Sequence, residues 1–207
     1  MSPALAVAAV PYFSQWETPD MTLDVVADGA PALLRDPLWR ASGAETVEDY
    51  ARWAVNLCGM ACLKMLLAAR TGTTVPIVPL ALACETYGGY VTDPDGRIRG
   101  LIYAPFVPFV KERFGLDARV VTGLAAGDIE AILDKAGFLI ASVHHSIRWP
   151  EHTPPSKGGH LVLVTAAGGG IVRFHNPSGH DRAARENVEL SVAVFDRFFA
   201  GRGIVVD

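Results

Sequence analysis

The segment from Asn56 to Arg70, NLCGMACLKMLLAAR, limits the possible folds most, because it is the clearest buried helix in the sequence. Its apolar residues recur at steps of three and four, and leucines at further positions widen the apolar stripe. Gly72 follows soon after and suits the position just beyond a helix. We therefore predict a largely buried central helix from about Leu57 to Arg70.

Cys58 falls in the first turn of this helix. Backbone N–H groups there have no partner inside the helix, and the helix dipole is positive at that end, so a lowered thiol pKa is expected. Gly59 is expected to leave room for an approaching carbonyl group. These features favour a nucleophile, whereas the alternative is that Cys58 only fills the core, as free cysteines often do.

Length and composition limit the classes of protein and partner. At 207 residues, half of them hydrophobic, the chain is predicted to form a single domain over residues 1–207. A net charge of −4 and the lack of a Lys/Arg-rich run argue against nucleic acid as a partner. Gly, Pro or charged residues break every apolar stretch before the roughly 18 residues that cross a membrane, so no membrane partner is expected.

The first ten residues, MSPALAVAAV, are apolar but contain no Lys or Arg, and Pro11 follows them. This pattern is poor for a secretory signal, so we interpret residues 7–13 as a first strand and expect a cytoplasmic protein. Cysteines at 58, 62 and 84 are expected to be reduced, and no cofactor is predicted. A zinc site would need His144 and His145, which point to opposite faces if they lie in a strand, so no metal is predicted.

The hydrophobic pattern changes from a helical period in the first half of the chain to a strand period in the second. The segment 16–49 is interpreted as an insertion of loops and short elements, and 147–157 as an exposed loop. Both are expected to frame a cleft, with Trp16, Trp39, Trp53 and Trp149 as candidate walls, although Trp53 suits the core better. Predicted helices cover 46–53, 78–87, 104–114 and 127–136, and 195–199 is predicted to be a short helix or turn. Predicted strands cover 118–122, 138–144, 160–166, 171–175 and 203–206.

A predicted β-hairpin brings two polar residues to one end of the sheet. His160 opens its first strand and Asn176 follows its second, so the two side chains can meet. A thiolate nucleophile needs a base, and the base needs an acceptor that orients it, roles that His160 and Asn176 can supply for Cys58. The alternatives are a histidine that caps a strand and an asparagine that forms a turn before proline.

Three motifs resemble those of the C39-like cysteine peptidases, a branch of the papain-like superfamily. NLCGMACLKMLL resembles the cysteine motif, GGHLVLVTA with FHNPSG resembles the histidine and Asn/Asp motifs, and VPYFSQ resembles the start of many members. The resemblance implies an α+β, papain-like fold, in which a helical part carrying the cysteine packs on an antiparallel sheet. It also implies Cys58 as nucleophile, His160 as general base and acid, and Asn176 as the orienting residue.

The resemblance further implies that a glutamine upstream of the cysteine donates a hydrogen bond to the oxyanion. Gln15 is the only glutamine and lies in the matching motif, but more than forty residues separate it from Cys58. Asn56 is the second candidate for the donor. We predict Gln15, because Asn56 precedes the helix and is expected to use its side chain in capping.

Three functions are compatible with this sequence. The first is a thiol-dependent peptidase or amidohydrolase that acts on a peptide or an amide-containing small molecule through an acyl-enzyme on Cys58. An acyltransferase or transpeptidase would use the same triad with an amine as acceptor. A peptide-binding module without turnover is the third, and it belongs to a different class.

Overall fold

The computed structural model describes residues 10–135 and 137–207, which form an α+β fold. Short 3₁₀ turns lie at Pro19–Met21, Trp39–Ser42, Ala126–Asp128 and His145–Arg148. The α-helices are α1 Thr22–Asp28, α2 Ala30–Leu33, α3 Val47–Ala54, α4 Cys58–Thr71, α5 Ile77–Glu85, α6 Tyr103–Phe114, α7 Ile129–Leu133, α8 Arg182–Arg185 and α9 Val192–Phe198. The first half of the chain is therefore helical, as predicted.

A six-stranded antiparallel sheet occupies the second half of the chain. Its strands are β1 Ala118–Thr122, β2 Phe138–Val143, β3 His160–Gly168, β4 Ile171–His175, β5 Val188–Ser191 and β6 Phe199–Val206. They lie in the order β1-β6-β2-β3-β4-β5, which places the last strand of the chain between the first two. The sequence predicted all of these strands except β5, and it predicted a β6 that begins later.

The central helix α4 confirms the prediction made from its apolar pattern. Every residue from Gly59 to Leu67 is buried, and Gly72 ends the helix in the left-handed conformation at φ 69°. Leu161 and Leu163 of β3 pack in the same cluster as α4. Val162 and Val164 point to the other face, where they pack with α9. This alternation places the sheet between two layers of helices.

Gly59 serves the packing of α4 rather than substrate entry. A Cβ atom there would lie 2.6 Å from Leu101 Cδ2 and 3.1 Å from Leu161 Cδ1. The expectation that Gly59 leaves room for an approaching carbonyl is therefore wrong. Its missing side chain instead lets the loop that carries Leu101 and the strand β3 come close to the start of the helix.

The segment 16–49 contains α1 and α2 and packs around a small core of its own, which includes Trp16, Leu33 and Tyr50. Asp36 fixes this segment, because its carboxylate accepts from the hydroxyl of Tyr50 at 2.5 Å and from the backbone N–H of Thr18 at 3.1 Å. The loops are thus more ordered than a mixed composition alone suggests.

Three predicted elements differ from the structure. Residues 7–9 of the predicted first strand lie outside the described part of the chain, and residues 10–13 are not in a strand. The predicted helix 127–136 is a 3₁₀ turn followed by the shorter α7, with residue 136 outside the described residues. The segment 147–157 is not exposed throughout, because Ile147 and Arg148 are buried.

Candidate functional site

Cys58 is the first residue of α4 and is partly exposed. Burial of the sulfur raises its pKa to about 11, although hydrogen bonds from the backbone N–H groups of Leu161, Gly59 and Cys58 itself act to lower it. The expected lowering of this pKa is therefore wrong. A helix N-terminus stabilises an anion by only about 0.3–1 kcal/mol at the surface, and desolvation outweighs it here.

The other two cysteines are buried in the core and belong to the same apolar cluster as α4. Burial raises the pKa of Cys62 well above its ordinary value and that of Cys84 to about 12. All three cysteines are free thiols. Cys58 is the one that faces a cavity.

The hairpin of β3 and β4 brings His160 and Asn176 together. Leu163 pairs with His175 across the two strands, so the same register places Asn176 opposite Val162, two residues along β3 from His160 and on the same face of the sheet. His160 Nε2 lies 2.9 Å from Asn176 Oδ1, and both side chains are buried. The structure therefore shows the contact between His160 and Asn176 that the hairpin predicted.

The hydrogen bonds of Asn176 determine the tautomer of His160. The backbone N–H of Ser178 can only donate, and it lies 3.1 Å from Asn176 Oδ1. Since that atom must be the amide oxygen, His160 Nε2 must carry the proton that it shares with Asn176. The other ring nitrogen, Nδ1, is then unprotonated in the neutral histidine and can accept a proton.

Burial and, to a smaller extent, the positive charge of Arg148 lower the pKa of His160 to about 3, against the opposing effect of the bond to Asn176. His160 is therefore neutral near pH 7. Together with the raised pKa of Cys58, this gives a resting site of neutral thiol and neutral imidazole.

Gln15 lies in the same cavity as Cys58 and His160 despite its distance along the chain. Its backbone N–H donates to the carbonyl of Pro177 at 3.0 Å, and its side-chain Nε2 donates to the carbonyl of Ala54 at 3.0 Å. A primary amide carries two N–H groups, so one remains after the bond to Ala54. This position fits a donor to an oxyanion.

The segment that carries Gln15 is attached to the end of the hairpin. Ser14 Oγ donates to the carbonyl of Pro177 at 2.9 Å, and His175 Nε2 lies 3.0 Å from the carbonyl oxygen of Val10. On its other side, the N–H of Glu17 donates to the hydroxyl of Tyr50 at 2.8 Å. Hydrogen bonds on both sides therefore hold Gln15 in place, between the end of the hairpin and the segment 16–49.

Asn56 lines the same cavity but does not cap the helix. The N-cap is Leu57, which makes no side-chain cap, and Asn56 Nδ2 donates back to the carbonyl of Arg52 at 3.4 Å. The expected capping role of Asn56 is therefore wrong.

Two residues in the site were missed by the sequence reasoning. Ser178 Oγ lies 3.2 Å from His160 Nε2 and accepts a hydrogen bond from Arg148 Nη2 at 2.7 Å. The turn sequence NPSG pointed to a bend but not to a side chain facing the histidine. Arg148 lay in a polar, proline-rich stretch that we interpreted as exposed.

The cavity beside Cys58 has a volume of about 380 Å³, and a second cavity of about 450 Å³ adjoins it. The two share Cys58, Gly100, Gly159 and His160. Gly159, at φ 95°, has open space where a Cβ atom would stand. The inserted segment contributes Trp16, Val25, Val26 and Gly29 to the wall of the smaller cavity, and Leu101, Tyr103, Ser142 and Arg202 line the larger one.

The other tryptophans do not line these cavities. Trp53 packs edge-on against Tyr90 in the core, as expected, with ring centroids 5.5 Å apart. Trp149 stacks on His180, also at 5.5 Å. Trp39 lies beneath the guanidinium of Arg40 in the inserted segment.

Within the described chain, no three His, Cys, Asp or Glu side chains are grouped so that they could hold a metal ion. His144 and His145 do not point to opposite faces as expected, because β2 ends at Val143 and their rings lie 4.2 Å apart. None of the helices described is by itself long and apolar enough to cross a membrane. The pair α3 and α4 meets that criterion together but is bent by 93°.

No family model and no curated protein matches the sequence. Among solved structures, this one is similar to a protein from Bacillus anthracis assigned as a C39-like peptidase, with a TM-score of 0.53 and 13% identity over 73% of this chain and 88% of that one. It also resembles the peptidase domain of Streptococcus ComA, a bi-functional ABC transporter of a quorum-sensing pathway, with a TM-score of 0.49 and 18% identity, over 73% and 90% of the two chains.

A third similar structure is a double glycine motif protease from an AMS/PCAT transporter, solved in complex with the leader peptide. Its TM-score to this structure is 0.46, with 20% identity over 72% of this chain and 82% of that chain. The fold is that of the C39-like peptidases, and the predicted papain-like α+β architecture is confirmed.

Proposed function

We propose that this protein is a thiol-dependent peptidase or amidohydrolase that cleaves a peptide or amide bond through an acyl-enzyme on Cys58. The observation that carries this proposal is the hydrogen bond of 2.9 Å between His160 and Asn176. His160 lines the same cavity as Cys58, the first residue of α4. A nucleophile, a base and a group that orients the base are thereby brought together. The C39-like fold supports the same reading.

In the first step, Cys58 Sγ attacks the carbonyl carbon of the substrate while His160 Nδ1 accepts the thiol proton. Because both groups are neutral at rest, the proton moves as the sulfur attacks rather than beforehand. The bond to Asn176 holds the imidazole in position and stabilises the imidazolium that forms.

The tetrahedral intermediate places negative charge on the former carbonyl oxygen. The backbone N–H of Cys58 and the free N–H of Gln15 Nε2 are the proposed donors to this oxygen. The C–N bond then breaks, the amine leaves with the proton from His160, and a thioester remains on Cys58. Water, deprotonated by His160, cleaves the thioester to a carboxylic acid and regenerates the thiol.

The experiment is to treat the folded protein with a peptidyl chloromethyl ketone and measure its intact mass. We expect one adduct, located on Cys58, that is absent in Cys58→Ser and retained in Cys62→Ser and Cys84→Ser. Labelling spread over several cysteines, or none at Cys58, would contradict the proposal. Mass analysis of products formed from peptides with and without an added amine then separates hydrolysis from acyl transfer.

A further inference from the structure

Arg148 is a buried cation in the wall of the smaller cavity, beside Cys58 and His160. Its residue exposure is only 7%. Nη2 donates to Ser178 Oγ at 2.7 Å, whereas Nε is buried and has no partner among the described residues. A guanidinium has five N–H donors, so part of its hydrogen-bonding capacity remains unused.

Among the residues that the structure describes, no acidic side chain offsets the charge of Arg148. Burial lowers the pKa of Arg148 to about 10, with no acidic side chain acting to raise it. Burial also lowers the pKa values of His144 and His160, and the charge of Arg148 lowers them further. The groups that sense this charge are therefore bases rather than acids. Buried charges are normally paired, because an unpaired one costs folding free energy.

The cavity is suited to an anion with an apolar part. None of its lining residues is acidic, and Trp16, Val25 and Val26 give it apolar walls. The planar fork of arginine matches a carboxylate better than a lysine ammonium does, because it can donate two parallel hydrogen bonds. Only two hydrogen bonds, through Ser178, separate Arg148 from His160. An anion on Arg148 would therefore lie close to the reacting carbonyl.

We propose that Arg148 binds a carboxylate of the substrate, so that the site acts on peptides or amides that carry this anionic group next to the scissile bond. This inference rests on the proposed function and names its substrate class. The bound carboxylate neutralises the charge that Arg148 exerts on His160. Substrate binding then raises the pKa of His160 and makes it a stronger base.

Two alkylating reagents test the proposal without a known substrate. Iodoacetate and iodoacetamide both alkylate the Cys58 sulfur with loss of iodide, but only iodoacetate carries a carboxylate. The rate of alkylation of Cys58 by each reagent is measured by mass spectrometry. The ratio of the iodoacetate rate to the iodoacetamide rate is then divided by the same ratio for free N-acetylcysteine. We expect wild type to favour iodoacetate, and Arg148→Met to reduce this preference by about tenfold or more. Arg148→Lys should keep part of the preference, because it keeps the charge.

Arg202 provides the matched control, since it is exposed and lines the adjoining cavity. Arg202→Met should leave the reagent preference unchanged. An equal loss in both variants would assign the effect to the general field of the cleft and overturn the proposal. The thermal midpoint of Arg148→Met should equal or exceed that of wild type, because methionine fills the space without a buried charge. A large fall would assign a structural role to Arg148 and also overturn the proposal.

A separate measurement does not depend on the thiol. Succinate should raise the thermal midpoint of Cys58→Ser more than succinamide does at constant ionic strength, and Arg148→Met in that background should abolish the difference. Failure of the peptidyl electrophile to label Cys58, with a positive succinate result, would reject the proposed function alone. Single-site labelling without a succinate effect or a reagent preference would reject the carboxylate site alone.

Discussion

The backbone N–H of Ser178 donates to Asn176 Oδ1 at 3.1 Å, and this bond determines which nitrogen of the neutral His160 carries the proton. It fixes the orientation of the amide, which in turn places the proton of the neutral histidine on Nε2. Nδ1 is then the unprotonated nitrogen of the neutral imidazole. A backbone turn thus sets the protonation pattern of the site.

Asn176→Ala should lower turnover by about 100-fold, because the imidazole loses the acceptor that orients it, and it should also lower the thermal midpoint, because the buried N–H of Ser178 loses the same acceptor. Asn176→Asp should retain most of the activity, since a carboxylate can accept from both His160 and Ser178. Steady-state kinetics of the two variants, at a temperature well below both thermal midpoints, provide the measurement. Equal activity of Asn176→Ala and wild type would contradict the orienting role.

Gln15→Ala should reduce turnover by about 100- to 1000-fold, the typical effect of losing one oxyanion donor. Cys58 should remain open to alkylation by iodoacetamide in this variant, because the thiol itself is unchanged. Asn56→Ala is the matched control and should keep most of the activity, since its side chain bonds back to Arg52. The reverse result at unchanged stability would move the oxyanion role to Asn56.

The alkylation rate of Cys58 should rise about tenfold per pH unit between about pH 7 and 10, because the thiolate is the reactive form. Its pKa of about 11 means that the thiolate fraction is still increasing over this range. Cys62→Ser and Cys84→Ser should show the same profile for iodoacetamide. A rate that is already constant at neutral pH would instead indicate a preformed ion pair with His160.

Acid should destabilise wild type more than His160→Gln. The unfolded chain binds a proton at His160 below about pH 6.5, whereas the folded chain does so only near pH 3. The stability from this group is thus present above pH 6.5 and lost as the pH falls, at up to about 1.4 kcal/mol per pH unit. Chemical denaturation at several pH values tests this, and parallel profiles for the two proteins would contradict the buried, neutral state of His160.

His175→Ala should reduce the free energy of unfolding by about 1–3 kcal/mol for each buried group that it leaves unpaired. His175 is buried and bonds to the carbonyl of Val10 and the N–H of Asn187. Urea denaturation gives the value, and an unchanged midpoint would show that these bonds contribute little.

Local patterns were sufficient to identify the main residues of the candidate site. The apolar period of α4 and the glycine turn between β3 and β4 depend on neighbouring residues, so they identified Cys58, His160 and Asn176. The position of Gln15 followed only from the resemblance to C39-like peptidases. In the structure it results from hydrogen bonds to Pro177, more than 150 residues away along the chain.

Properties that depend on tertiary packing could not be predicted. The raised pKa of Cys58 comes from burial that no local pattern reports. Arg148 is surrounded in sequence by polar and proline residues, which indicate exposure, but contacts with Ser178 and Trp149 bury it. Gly59 suggested access for a substrate, whereas its reason is the close approach of Leu101.

The position of β6 has a consequence for when the sheet can be completed during synthesis. Residues 199–206 follow every other strand in the described chain, but they pair with β1 on one side and β2 on the other. β2 in turn pairs with β3, the strand that begins at His160. The ribosome must therefore make residues 199–206 before β1 can be joined to β2, so the six-stranded sheet is completed only when nearly all of the described chain has been synthesised.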